Sequence, residues 1–249
     1  MWELYDALLR GISQDAPRVE TCCGGRDWTS VKAGAYAGAA MLVSDESRPP
    51  LHPESFCGGT LHEMAACVKS WNFAEASLGA AAINAWYNSP QTATHGIITG
   101  KDKRDRDAFM TYQQAIAGKK VAVVGHFPFL ETRFAPLCEL SILERAPQNG
   151  DYPDSACEYL LPAQDYVFIT GVTLINKTLP RLLELAKKAK IVLVGPSVPL
   201  APCLFDFGVD ALESFVLEQP EAYQSRLLQN PAEPIFHYGS MVSLTCNLN

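Results

Sequence analysis

Apolar positions set the first expectations. Trp2, Tyr5, Leu8, Leu9 and Ile12 recur at helical spacing, which predicts an amphipathic helix over residues 2–12. Three short strand patterns follow, at 18–23, 28–33 and 35–42, with turn signals at Gly24–Gly25 and Gly34 between them. They read as a small antiparallel meander. Thr60 and Glu63 have capping-box spacing and open a predicted helix over 60–71. A second helix is predicted over 75–87, where alanine is frequent. Its small residues Ser77, Gly79, Ala80 and Ala81 suit close approach by a backbone or a ligand.

The texture changes after residue 118. Short β-branched and apolar runs at 120–124, 140–143, 166–169, 191–194 and 212–217 alternate with helical stretches, the βαβ rhythm of a parallel sheet. Several runs are continuously apolar, as in strands buried on both faces. A helix over 179–188 is expected, capped by Thr178 with Pro180 in its first turn. Between the textures lies the charged segment 101–107. A helical pattern at 108–117 then stops at Gly118, a residue suited to a helix C-terminus. The expected fold class is therefore α/β in two domains. Residues 1–106 form an N-terminal α+β domain and residues 107–249 a parallel-sheet domain.

Composition supports a packed chain. Of 249 residues, 48% are hydrophobic and 19% charged. The net charge of -7 argues against phosphate-driven nucleic-acid binding. The densest positive stretch, Lys101 to Arg106, is interrupted by Asp102 and Asp105. No apolar run has the length of a membrane span, and residues 1–11 do not read as a signal peptide. A cytoplasmic location with reduced thiols is the expectation.

The candidate chemistry sits where apolar strands end. In an open parallel sheet, ligands bind beyond the carboxyl ends of the strands, near the reversal of strand order. That rule selects Gly125 and His126 after the first strand and Glu144 at the end of the second. It also selects Thr170, Asn176 and Lys177 after the third, and Pro196 and Ser197 after the fourth. His126 and Glu144 are candidate catalytic groups, as acid, base or ligand. Asn176 and Lys177, just before a helix, are candidates for holding an anion. Ordinary capping by Thr178 competes with that reading. Glu158 and Asp206 are candidate carboxylates at the rim, or a surface carboxylate and a turn former. Ser197 lacks the nucleophile-elbow pattern and reads as well as a loop serine.

Glu144 stands near the position of a ribose-binding acid. However, the loop Gly125-His126-Phe127-Pro128-Phe129-Leu130 lacks the second and third glycines of a dinucleotide loop. Phe127 and Pro128 should obstruct a pyrophosphate. A P-loop pattern is absent. For metals, His126, Cys22 and Cys23 are the leading candidates, with His52, His62 and Cys57 as further donors of the right type. None has diagnostic spacing, and in a strand Cys22 and Cys23 should point to opposite faces. Each cysteine also reads as a small core residue.

Four stretches carry a family resemblance. They are Ser77–Ala85, Thr170–Thr178, Val194–Leu200 and Phe207–Asp210. With the loop after the first parallel strand, they resemble the family called domain of unknown function 364, named for heavy-metal chelation. The resemblance implies an N-terminal domain similar to the enolase N-terminal domain, a Rossmann-like C-terminal domain and a cleft between them. Under it Asn84 becomes a cleft candidate, against an alternative as a polar residue on an exposed helix side. The cofactor is unknown, with a heavy-metal ion or a metal-chelating small molecule as the implied candidates. The expected partner is such a small molecule or metal, with no nucleic acid, no membrane, and room for a homo-oligomer. Two other functions compete: a nucleotide- or nicotinamide-dependent enzyme with a degenerate loop, and a non-catalytic interaction protein.

Overall fold

The structure, a computed structural model, describes residues 2–44, 48–52, 58–90, 98–99, 108–148 and 150–246. The charged segment 101–107, with the domain boundary placed in it, and Cys57 lie outside these residues.

Helix α1 (Glu3–Arg10) buries Leu4, Tyr5, Leu8 and Leu9. Strands β1 (Thr21–Gly24), β2 (Trp28–Ala33) and β3 (Tyr36–Met41) form the expected antiparallel meander in the order β1-β2-β3. Helix α2 (Leu61–Ala66) starts with both hydrogen bonds of the Thr60–Glu63 capping box and ends in a 3-10 turn, Cys67–Lys69. Asn72 caps α3 (Phe73–Tyr87) by accepting the Glu75 N–H.

Helix α3 is apolar on nearly every side and is an inner helix rather than an amphipathic one. It lies on β2 and β3 at very short range. A Cβ added at Gly38 would stand 2.1 Å from the Ala85 nitrogen. Only glycine allows that approach.

The larger sheet contains β4 (Ile98–Thr99), β5 (Lys120–Val124), β6 (Glu139–Glu144), β7 (Tyr152–Pro153), β8 (Tyr166–Thr170), β9 (Lys190–Val194), β10 (Ala211–Leu217) and β11 (Gly239–Thr245). Its order is β4-β11-β10-β9-β8-β5-β6-β7. Neighbours from β10 through β7 are parallel; β11 pairs antiparallel with β10, and β4 with β11. The continuous apolar runs have a physical cause: both faces are covered. Ala122, Val167, Ile169, Ile191 and Leu193 join the core shared with α1 and α3. Val121, Val123, Phe168, Val192 and Val194 join a second cluster around Phe109 and Phe134. Each such Val, Ile, Leu or Phe side chain contributes about 1.5–3 kcal/mol by leaving water.

Short helices α4 (Leu130–Arg133), α5 (Cys157–Leu160), α6 (Val172–Ile175) and α7 (Leu179–Leu185), with α8 (Pro220–Gln229), complete the fold. From β5 the chain runs outward through β6 and β7, then returns to β8 on the opposite side of β5. The strand order therefore reverses between β5 and β8, so the crevice lies at their carboxyl ends.

Two elements and one cap differ from expectation. The stretch 108–117 forms only a 3-10 turn, Ala108–Tyr112, before Gly118 at φ +69°. Its buried anchors are few, and helices this short need packing to persist. The helix expected over 179–188 ends at Leu185, and Lys187 and Lys188 are exposed. Thr178 does not cap it, because the hydroxyl donates to Asn176 Oδ1 at 2.6 Å instead.

Buried side chains join α1 and the end of α3 to the larger sheet and its loops. Asn88 Nδ2 faces Val198 O, Ser214 Oγ and Phe215 O, while its Oδ1 accepts the Leu200 N–H at 2.7 Å. Tyr5 donates to Leu174 O at 2.9 Å.

Candidate functional site

A cleft of about 470 Å³ opens at the β5/β8 reversal. Its floor is built by strand ends: Gly125, His126 and Phe127 after β5, Glu144 and Arg145 at β6, Thr170 and Thr173 at β8, and Pro196 and Ser197 after β9. Trp28 and Met41 from the small sheet and Val43 just beyond it cover the floor, with Phe236 beside them. The walls are largely apolar and the polar groups come from the strand ends, the usual make-up of a small-molecule site.

Backbone geometry shapes the floor. Gly125 and Gly195 have φ of +106° and +109°, values open to glycine and little else. Phe127 packs edge-to-face on Phe109 at 5.0 Å and lies close to both glycines. It fills the place where a glycine-rich loop would let a pyrophosphate approach. Phe129, two residues on, is 63% exposed and has a φ of 71°. A bulky side chain in that region costs about 1–3 kcal/mol, and such strain concentrates at functional sites.

His126 is held on three sides. Its backbone N–H donates to Glu144 Oε2 at 2.9 Å. Its Nδ1 lies 3.0 Å from Asp151 Oδ2. Its Nε2 lies 3.3 Å from Glu131 Oε1. The Asp151 side chain is 2% exposed and also accepts the Gln148 N–H at 2.9 Å. Glu144 Oε1 accepts the N–H groups of Arg145 and Ala146 at 2.7 and 3.2 Å. Glu144 thus pins the loops after β5 and β6. An ionised carboxylate offers about four acceptor sites, so about one remains for a ligand.

The other predicted residues divide clearly. Gly125, His126, Glu144, Thr170, Asn176, Pro196 and Ser197 all line the cleft. Asn176 Oδ1 is occupied by the backbone and hydroxyl of Thr178. Ser197 Oγ accepts the Met41 N–H at 2.8 Å, tying the floor to the small sheet.

Lys177 and Asn84 are placed elsewhere. Lys177 has a φ of 67°, and its Nζ donates to Ile175 O at 2.6 Å. The ammonium lies 5.9 Å from the Trp71 ring centre and 5.2 Å from that of Phe73. Burial pulls its pKa down to about 8, partly opposed by the Glu75 carboxylate. Asn84 is 1% exposed and donates to Ala39 O and Pro196 O at 2.8 and 2.9 Å. It supports the Pro196 corner from behind the cleft. Glu158 is bound to Arg181 on the surface, at 2.7 Å.

Cys22 and Cys23 occupy successive positions of β1, one packed against the main core and the other against the cluster around Phe215 and Tyr223. They cannot share an ion. Among the described residues no group of three or more His, Cys, Asp or Glu side chains is placed to hold a metal. A closed, protein-only heavy-metal centre does not fit these residues. Cys157 lines the cleft, but burial pushes its thiol up to about 11, which suppresses the nucleophilic thiolate. Asp151 escaped sequence reasoning. The sequence offered only the Asn-Gly signature at 149–150, a pattern common in turns, with nothing to connect Asp151 to His126.

Fold and cleft together define an α/β protein with a covered crevice at the reversal of a parallel sheet. The chain belongs to the family of domain of unknown function 364, described as "Putative heavy-metal chelation", whose profile matches residues 107–245. A second profile with the same description, domain of unknown function 4213, matches residues 5–87. The chain is similar to a crystal structure of a protein of unknown function of the first family from Desulfitobacterium hafniense DCB-2. The identity is 43% and the TM-score 0.88, over 98% of each chain. A second such structure, from Pyrococcus horikoshii, shares the fold at 20% identity and TM-score 0.76, over 97% of this chain and 99% of that one. The Uncharacterized protein MJ0500 of Methanocaldococcus jannaschii is 34% identical over 185 residues, 71% of this chain and 68% of its own length. Among the described residues no helix is long and apolar enough to cross a membrane.

Proposed function

We propose that the protein binds a small, ring-bearing, metal-chelating organic molecule in the cleft at the β5/β8 reversal. The observation that carries this reading is the cleft itself: about 470 Å³, with aromatic and aliphatic cover and polar strand ends beneath. A flat chelator satisfies both surfaces. Its rings meet Trp28, Met41 and Phe236, and its donor atoms meet the strand ends. The family description concerns heavy-metal chelation, and the described residues form no closed centre for a bare ion. Those two facts favour a chelate over a resident metal. A nicotinamide dinucleotide is disfavoured by Phe127 and by the three backbone N–H groups already held by Glu144.

The test is native mass spectrometry of the protein with a panel of aromatic nitrogen chelators, free and metal-loaded. A one-to-one adduct is expected, and Val43→Trp, which fills the cleft from its half-buried edge, should remove it. An adduct that persists in Val43→Trp, or no adduct at millimolar ligand, contradicts the proposal.

A further inference from the structure

We infer that His126 Nε2 and Glu131 form an open, two-ligand site for a divalent transition-metal ion, oriented by Asp151. The inference rests on the cleft reading in one respect: the chelator supplies the remaining ligands.

Ligand atoms each about 2.1 Å from one ion, at angles between square and tetrahedral, lie about 3.0–3.4 Å apart. Glu131 Oε1 lies 3.3 Å from His126 Nε2. A metal-binding histidine almost always gives its other ring N–H to a carboxylate or carbonyl, which fixes the ring and raises ligand basicity. Asp151 stands there, with both oxygens within 3.1 Å of Nδ1. Its side chain is itself buried and braced by the Gln148 N–H. The ring is also fixed from the main chain, because Glu144 holds the His126 N–H. By contrast Glu131 is 56% exposed and stands on the four-residue helix α4, so it has room to adjust.

The donor set has chemical consequences. One imidazole and one carboxylate, without thiolate, suit borderline ions such as Co²⁺, Ni²⁺ or Zn²⁺. Two protein ligands leave coordination positions open. His126 is also a cleft wall residue, so an ion on its Nε2 is within reach of a chelator seated there. An ordinary ion pair between His126 and Glu131 is the competing account. It provides no metal affinity.

The probes are Co²⁺ alone and Co²⁺ with 2,2′-bipyridine, followed by absorption spectroscopy and calorimetry. Wild-type protein should bind one Co²⁺ at the imidazole–carboxylate site, without the intense ultraviolet sulfur-to-metal band of a thiolate complex. His126→Gln and Glu131→Gln should each weaken binding at least about tenfold, and Asp151→Asn about tenfold through the lost orientation. Glu131→Gln alters an exposed side chain and keeps the test valid if His126→Gln misfolds. Unchanged affinity in Glu131→Gln and His126→Gln, or a strong thiolate band, overturns the site. Bipyridine should tighten Co²⁺ binding in wild type but not in Val43→Trp. If bipyridine adds nothing while both glutamine variants still lose Co²⁺, the metal site stands and the chelator-binding reading of the cleft fails.

Discussion

Ser197 and Met41 meet across the seam between the two sheets, the serine Oγ accepting the Met41 N–H at 2.8 Å. The cleft floor and its cover are therefore fastened there, and again by Asn84, which donates to Ala39 O in the small sheet and to Pro196 O in the floor. Ser197→Ala should cost about 1 kcal/mol, the net worth of one such bond. Ligand affinity should fall more than stability, because the contact fixes the relation of floor to cover. Urea unfolding and a ligand titration on the same variant check the split.

Asn88 is the stronger fastening. Four partners from the larger sheet and its loops surround one buried amide. Asn88→Ala removes all four contacts and takes away the acceptor of the Leu200 N–H, while Ser214 Oγ still donates to Val198 O; a loss of about 2–4 kcal/mol is expected. Asn88→Asp keeps an acceptor for the Leu200 N–H but sets a carboxylate against two carbonyls, so it should be at least as damaging. Chemical denaturation of both variants tests this.

Gly38→Ala should destabilise by about 1–3 kcal/mol or more, because the new methyl group meets α3 backbone rather than a movable side chain. Thermal unfolding of this variant beside Gly150→Ala separates two causes. A Cβ at Gly150 meets nothing within 4 Å, and its φ of +102° leaves only the backbone penalty.

Lys177 gives a pH signature. Its folded pKa is lowered to about 8, below the value of about 10.4 expected in the unfolded chain. Between those values the unfolded chain binds more protons, so this group's contribution to stability rises with pH. Burying the ammonium is unfavourable below pH 8, and the penalty is relieved towards pH 10.4. The buried thiols act oppositely. Burial pushes Cys67 up to about 12 and Cys157 to about 11, so their contribution falls as pH climbs past the unfolded thiol value. The difference between wild type and Lys177→Met isolates the lysine. Lys177→Met should be the more stable at pH 7, and its advantage should shrink towards pH 10, read from urea midpoints.

Much of the fold was legible because its cause is local. Continuous apolar runs marked β5, β8 and β9 to within a residue, since burial on both faces leaves no alternation to misread. The Thr60–Glu63 spacing located α2 for the same reason. Helix α8 and strand β11 were missed. Pro220 at the helix start was a usable signal, whereas β11 reads GSMVSLT, with serines that weaken any strand pattern. The strand-end rule brought seven candidates to one cleft. Lys177, selected by the same rule, lies outside that cleft because its partners Trp71 and Phe73 stand about a hundred residues earlier, and Asn84, which the family resemblance suggested, sits on a helix that is buried. Asp151 was invisible for a like reason: its partner is 25 positions away across a loop.

The most direct measurement is a crystal structure of the protein soaked with Co²⁺ and 2,2′-bipyridine, with anomalous data at the cobalt edge. The account predicts one anomalous peak within bonding distance of His126 Nε2 and Glu131, with the two rings lying in the cleft beneath Trp28 and Met41. A peak at the cysteines, or a chelate bound outside the β5/β8 cleft, would contradict it.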